Sequence, residues 1–192
     1  MKKRIISYVM MLILLTTCAC AKKTSLKETN DEELIEILIP FSFMEVAGLN
    51  TKSTMEMFEG YGEEYCTSTK SDVKGVILKV TEEQQQNLIQ MNNNYVDEVM
   101  DPFLSQNPLY GFSGSEDYSE VTFSYDEEAD PTAIMLAIMR YMMNSLLLNT
   151  YGEWEIHITI VNCHSGNIVD EGVLPGAGLV FGPDEWEASY AE

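Results

Sequence analysis

The feature that most constrains the fold is the way the apolar residues change period along the chain. Val121, Phe123 and Tyr125 alternate with Thr122 and Ser124, the repeat of a strand with one wet face. Trp154, Ile156, Ile158 and Ile160 repeat the same period, and the turn His164-Ser-Gly-Asn167 leads into an apolar return over 168–174, which predicts a hairpin. Between these strand-like stretches the period changes to that of a helix. Thr81 with Gln84 makes a capping box, and Leu88, Met91, Tyr95, Val99 and Phe103 follow on one face, with an end near Pro102. Residues 130–149 form the most apolar helical stretch.

Upstream, 73–80 is rich in β-branched and aliphatic residues and predicts a strand. Asn30 and Glu33 form a capping pair ahead of Leu34, Ile35, Leu38, Phe41 and Met44, so a first helix is expected over 31–47, kinked or broken at Pro40. In 51–71, residues 51–58 suit a short helix, whereas Gly60 and Gly62 favour a loop. A second loop holds Pro108, Gly111 and Gly114. The expected order is α-β-α-β-α-β-β. Helices between strands imply crossovers and the closing hairpin implies antiparallel pairing. The predicted class is therefore α+β, a two-layer sandwich with a mixed four-stranded sheet and helices on one face.

The first 20 residues have a separate logic. Lys2, Lys3 and Arg4 precede an apolar run over 5–15 broken only by Ser7, about half the length needed to span a ~30 Å hydrocarbon core. Positive start and short apolar run are the parts of a secretory signal. The run ends Leu14, Leu15, Thr16, Thr17, Cys18, Ala19, Cys20. That ending resembles the lipobox of bacterial membrane lipoproteins. The resemblance covers the leader alone. It implies cleavage after Ala19, a diacylglyceryl thioether and palmitate-type acylation at Cys20, and a lipid anchor on the extracytoplasmic face of the cell membrane. Cys18 is the alternative, with Leu15 three residues upstream but Thr17 directly before it. The expected organisation is a cleaved signal over 1–19, a lipidated cysteine and polar tether over 20–30, and one acidic domain over 31–192.

Removing the leader takes three of the 11 Lys+Arg and none of the 31 Asp+Glu, leaving 8 against 31, a mature charge of −23. After Lys79 the only basic residue is Arg140, against twenty acidic ones. Nucleic acid is thereby excluded as a partner, since phosphate binding needs a basic face to release counterions. Lys22, Lys23 and Lys27, beside the lipid, suit acidic headgroups. The rest of the charge serves solubility, or attracts Ca²⁺ or a basic partner.

Candidate site residues are few. Arg140, set in the apolar stretch, must find a carboxylate in a structural ion pair or hold an anionic ligand, because an unpaired buried guanidinium is costly. The same charge, with Asn144, argues against a membrane span there. Asp126, Glu127, Glu128 and Asp130 cluster at a strand-to-helix junction, with Glu116, Asp117 and Glu120 before the strand, where carboxylates hold Ca²⁺ or favour a helix N-terminus. The EF-hand spacing with its central glycine is missing. Cys66 and Cys163 suit a disulfide in an oxidising compartment or remain separate thiols. No metal centre is expected: His157 and Cys163 share a strand face but stand roughly 20 Å apart at about 3.3 Å per residue, and Cys163-His164 has no CxxC or HxxxH spacing. Met135, Met139, Met142 and Met143 are read as core.

Gly111-Phe-Ser-Gly-Ser115 is not a GxSxG nucleophile motif, Leu174-Pro-Gly-Ala-Gly178 has Ala where a sortase signal has Thr, and its glycines are not GxGxxG. No catalytic residue is assigned and no cofactor is expected apart from the Ca²⁺ alternative. The functional expectation is an extracytoplasmic lipoprotein whose domain binds an unidentified ligand or protein rather than catalysing. The alternative is a cell-wall glycan hydrolase using Asp126 and Glu128 as its carboxylate pair.

Overall fold

A computed structural model describes residues 33–176, 179 and 182–191 of the chain. The leader, both lipidation candidates, the tether and the Asn30 cap lie outside the described residues. Residues Leu34–Glu192 form one compact unit.

That unit is α+β and contains two sheets. The first begins with strand β1, Ile35–Pro40, where a helix over 31–47 was expected. Ile35, Ile37 and Ile39 also alternate, and Ile37 and Ile39 are fully buried against Leu78 and Val76 of strand β3, Gly75–Val80. Cross-strand packing of β-branched side chains overrides the weaker helical spacing. Among the described residues of that span, Phe41–Val46 forms helix α1, and Pro40 is its N-cap rather than a kink.

Helix α2, Thr51–Tyr61, starts on a capping box in which Asn50 Oδ1 accepts from Ser53 N at 3.0 Å and Asn50 N donates to Ser53 Oγ at 2.9 Å. It runs past 58 and takes in Gly60. Strand β2, Ser68–Asp72, pairs antiparallel with β3 and completes a sheet of order β1-β3-β2. A Cβ at Gly75 would sit 2.0 Å from the Ile39 carbonyl oxygen, so only glycine permits β1 to pack so closely there.

Helix α3, Glu82–Leu104, opens on the expected box: Gln84 N donates to Thr81 Oγ1 at 3.1 Å and Thr81 N to Gln84 Oε1 at 2.8 Å. It passes Pro102 by two residues. Its buried line is Leu88, Ile89, Asn92, Val96, Met100 and Phe103, while Met91, Tyr95 and Val99 are half-buried. The face is turned toward Asn92 because α3 packs along helix α4, Thr132–Leu148, where Asn144 is fully buried and meets Asn92.

The second sheet is four-stranded and mixed, in the order β4-β5-β6-β7, from Gly111–Gly114, Glu120–Tyr125, Ile156–Asn162 and Ile168–Leu174. Strands β5 and β6 run parallel through the crossover α4; the β4-β5 and β6-β7 pairs are antiparallel. Val121, Phe123, Tyr125, Ile156, Ile158 and Ile160 turn one face into the core. A C-terminal helix α5, Pro183–Ser189, closes the unit, with Trp186 edge-on to Tyr125 at 5.3 Å. Among the described residues the element order is thus β-α-α-β-β-α-β-β-α-β-β-α, longer than expected at both ends and by the short strands β2 and β4. No described helix is long and apolar enough to cross a membrane.

Candidate functional site at the strand ends

Parallel pairing sets Tyr125 beside Asn162, so the next residues, Asp126 and Cys163, leave the sheet side by side at its carboxyl edge. Cys163 N donates to Tyr125 O at 3.0 Å, extending the ladder by one bond. The carboxyl ends of adjacent parallel strands are where open sheets containing such pairs gather ligands.

Asp126, Cys163 and His164 converge there, each offering one ligand atom, and the three atoms lie within 4.8 Å of one another. His164 Nε2 is 3.6 Å from Asp126 Oδ2; the aspartate side chain is 14% exposed and the histidine 45%. Asp126 Oδ1 accepts from the Tyr110 hydroxyl at 2.8 Å and from Glu128 N at 3.2 Å. Tyr110 is held in turn by stacking on Phe103, centroids 5.0 Å apart. Burial, then the bond to Asp126, pushes the Tyr110 phenol up to about 12. Burial and the nearby Asp126 carboxylate raise the Cys163 thiol, so the free site holds it protonated.

The loop after β6 is fixed by the buried Asn162. Its Oδ1 accepts from His164 N at 2.9 Å, and its Nδ2 donates to Ser189 Oγ at 2.8 Å. Asn167 Nδ2 donates to the Ser189 and Ala191 carbonyls. Gly166, at φ 78°, makes the turn, with its N–H on Asn162 O at 2.8 Å. The His164 ring stacks on Tyr190, centroids 6.3 Å apart, and the Tyr190 hydroxyl donates to Glu127 Oε2 at 2.5 Å. That bond lowers the Glu127 carboxyl and raises the Tyr190 phenol.

The four acids expected to form a cation site do not converge among the described residues; Asp126 alone joins the cluster. Glu127 is taken by Tyr190, and Glu128 is exposed. Asp130 accepts from Thr132 N and Oγ1 at 3.0 and 2.7 Å at the start of α4, which lowers its carboxyl. The disulfide alternative is not realised: Cys66 and Cys163 are both free thiols. Cys66 is buried beside the first sheet, its Sγ 4.0 Å from Lys79 O.

Arg140 forms no ion pair among the described residues. Its Nη1 donates to Asn92 Oδ1 at 3.2 Å, and its guanidinium lies 4.4 Å from the centroid of the Tyr95 ring. Asn92 Nδ2 donates to Asn144 Oδ1 at 2.7 Å, Asn144 Nδ2 to Asn93 Oδ1 at 2.9 Å, and Asn93 meets the Tyr118 hydroxyl at 2.8 Å. Half-burial, one amide oxygen and an aromatic face stand in place of the expected carboxylate.

An open groove of about 810 Å³ lies at the opposite, amino end of the parallel pair. Asp117, Tyr151, Glu153, Trp154 and Glu155 line it. Tyr151 is 84% exposed, whereas Trp154 is buried with its indole N–H unpartnered. Hydrogen bonds from Ser115 and Ser119 pull the Asp117 carboxyl down to about 2.

Comparison with known proteins found no match of the chain to a family model, to a curated protein or to a solved structure.

Proposed function

We propose that this chain is a lipid-anchored extracytoplasmic lipoprotein whose folded unit is a non-enzymatic binding module. The observation that carries the reading is the leader: three cations, an apolar run too short to span, and small residues ending at Cys20. Such an order of parts tethers a folded unit to a lipid. What supports binding is the groove, whose lining includes the carboxylates of Asp117, Glu153 and Glu155 and the exposed ring of Tyr151. Those groups suit a basic ligand, in keeping with the mature charge of −23.

Metabolic labelling with a clickable fatty acid tests the anchor. Wild type is expected to carry label and to sediment with membranes, and Cys20→Ala to lose both. Label lost only in Cys18→Ala moves the site, and label in neither protein overturns the reading. For the groove, a lysine-rich peptide is expected to bind the full chain with an affinity that falls with salt and in Glu153→Gln/Glu155→Gln. Binding unchanged in that variant places the basic ligand elsewhere.

A further inference from the structure

We propose that Asp126, Cys163 and His164 form a binding site for one thiophilic divalent cation, with Zn²⁺ as the best fit. The site is distinct from the acidic groove: strands β5 and β6 separate the two ends by six residues or more, roughly 20 Å at about 3.3 Å per residue. Its success or failure is therefore independent of the lipid anchor and of the groove.

Three observations carry the inference. The donor set is a carboxylate oxygen, an imidazole nitrogen and a sulfur, and its atoms already lie within 4.8 Å of one another. Around tetrahedral Zn²⁺, with bonds of about 2.0 to 2.3 Å, neighbouring donors stand roughly 3.5 Å apart, so the donors need to approach by only about 1 Å to close the site. Oxygen and nitrogen alone would suit many ions; the sulfur selects a soft or borderline one over Ca²⁺ or Mg²⁺.

The supporting shell is also that of a ligand set. Tyr110 holds the Asp126 oxygen that the cation does not need, leaving Oδ2 turned toward His164. Asn162 and the Gly166 turn fix the backbone beneath Cys163 and His164. Among the described residues the ion-pair partner of the Asp126 carboxylate is His164 rather than a Lys or Arg. On binding, the Cys163 thiol releases its proton to solvent and the thiolate sulfur donates its electron pair to the ion. Asp126 contributes a carboxylate oxygen and His164 the lone pair of a neutral ring nitrogen. Cation, carboxylate and thiolate then sum to zero charge, and the fourth position is left to water.

The test is a Co²⁺ titration of the reduced, metal-stripped full chain carrying Cys18→Ser and Cys20→Ser, so that Cys66 and Cys163 are its only thiols. Thiolate-to-cobalt charge-transfer absorption is expected to saturate at an equimolar ratio and to be displaced by Zn²⁺. Adding Cys163→Ser is expected to abolish that band and Cys66→Ser to leave it. Asp126→Asn, His164→Ala and Tyr110→Phe should each weaken Co²⁺ by about tenfold or more. Far-UV circular dichroism separates a lost ligand from a lost fold, and His164→Ala, altering a nearly half-exposed ring, decides the matter if another variant unfolds. No charge-transfer band, or a band that survives Cys163→Ser, overturns the proposal.

Discussion

Replacing Asn144 with alanine should destabilise the unit by about 2.5–4.5 kcal/mol, although the residue touches no candidate site. Asn144 is fully buried in α4, and its Oδ1 is the partner of the equally buried Asn92 Nδ2 at 2.7 Å. Losing that acceptor leaves a donor without a partner, which costs about 1–3 kcal/mol. Asn93 Oδ1 also loses the Asn144 amide but keeps the Tyr118 hydroxyl at 3.1 Å, so its share is small, roughly 0.5 kcal/mol. The space vacated between α3 and α4 contributes about another 1 kcal/mol. At about 2–4 °C per kcal/mol for a unit of this size, the melting temperature should fall by roughly 10 °C. Thermal melts followed by circular dichroism read the effect, and Asn144→Leu, which restores volume but not polarity, isolates the polar part. A Tm within a degree of wild type for Asn144→Ala would refute the view that a polar seam, rather than apolar packing alone, fixes the register of α3 on α4.

Arg140→Met removes a 3.2 Å bond to Asn92 and a ring contact with Tyr95 from a half-buried residue, so a loss of about 1–2 kcal/mol is expected in urea unfolding, below what breaking a buried ion pair would cost. Gly114→Ala would drive a Cβ into the Tyr141 ring and should cost about 1–3 kcal/mol by the same assay; an unchanged urea midpoint would contradict tight packing of β4 on Tyr141. An ultraviolet difference titration of wild type against Tyr110→Phe should show one tyrosinate forming near pH 12 rather than 10. Because the folded-state value is raised, that tyrosine's contribution to stability is complete below pH 10 and fades as the pH climbs toward 12.

What could be read from the sequence follows the strength of local signals. The Thr81 capping box, the β5 alternation and the β6-β7 hairpin each combine periodicity with punctuation, and each is present in the fold. The stretch 35–40 carries two periods at once, and only its partner Val76–Val80 decides between them. Strands β2 and β4 are short and polar or glycine-bounded, so pairing defines them more than composition does. The site was hidden for a related reason. Cys163 and His164 stand out as neighbours, and Asp126 as one of an acidic run, but only the parallel register of β5 on β6 brings them together. Arg140 was misleading in the opposite way: a lone cation among many acids suggests a carboxylate partner, yet the helix face that it meets offers Asn92 and Tyr95.

The most direct test of the central claim is mass spectrometry of the protein purified from the membranes of its native cells. The account predicts a mature N-terminal peptide beginning at Cys20, heavier than its sequence by a diacylglyceryl group, with or without a further acyl chain. An N-terminus at Met1, or a cut elsewhere that leaves an unmodified peptide, would contradict it.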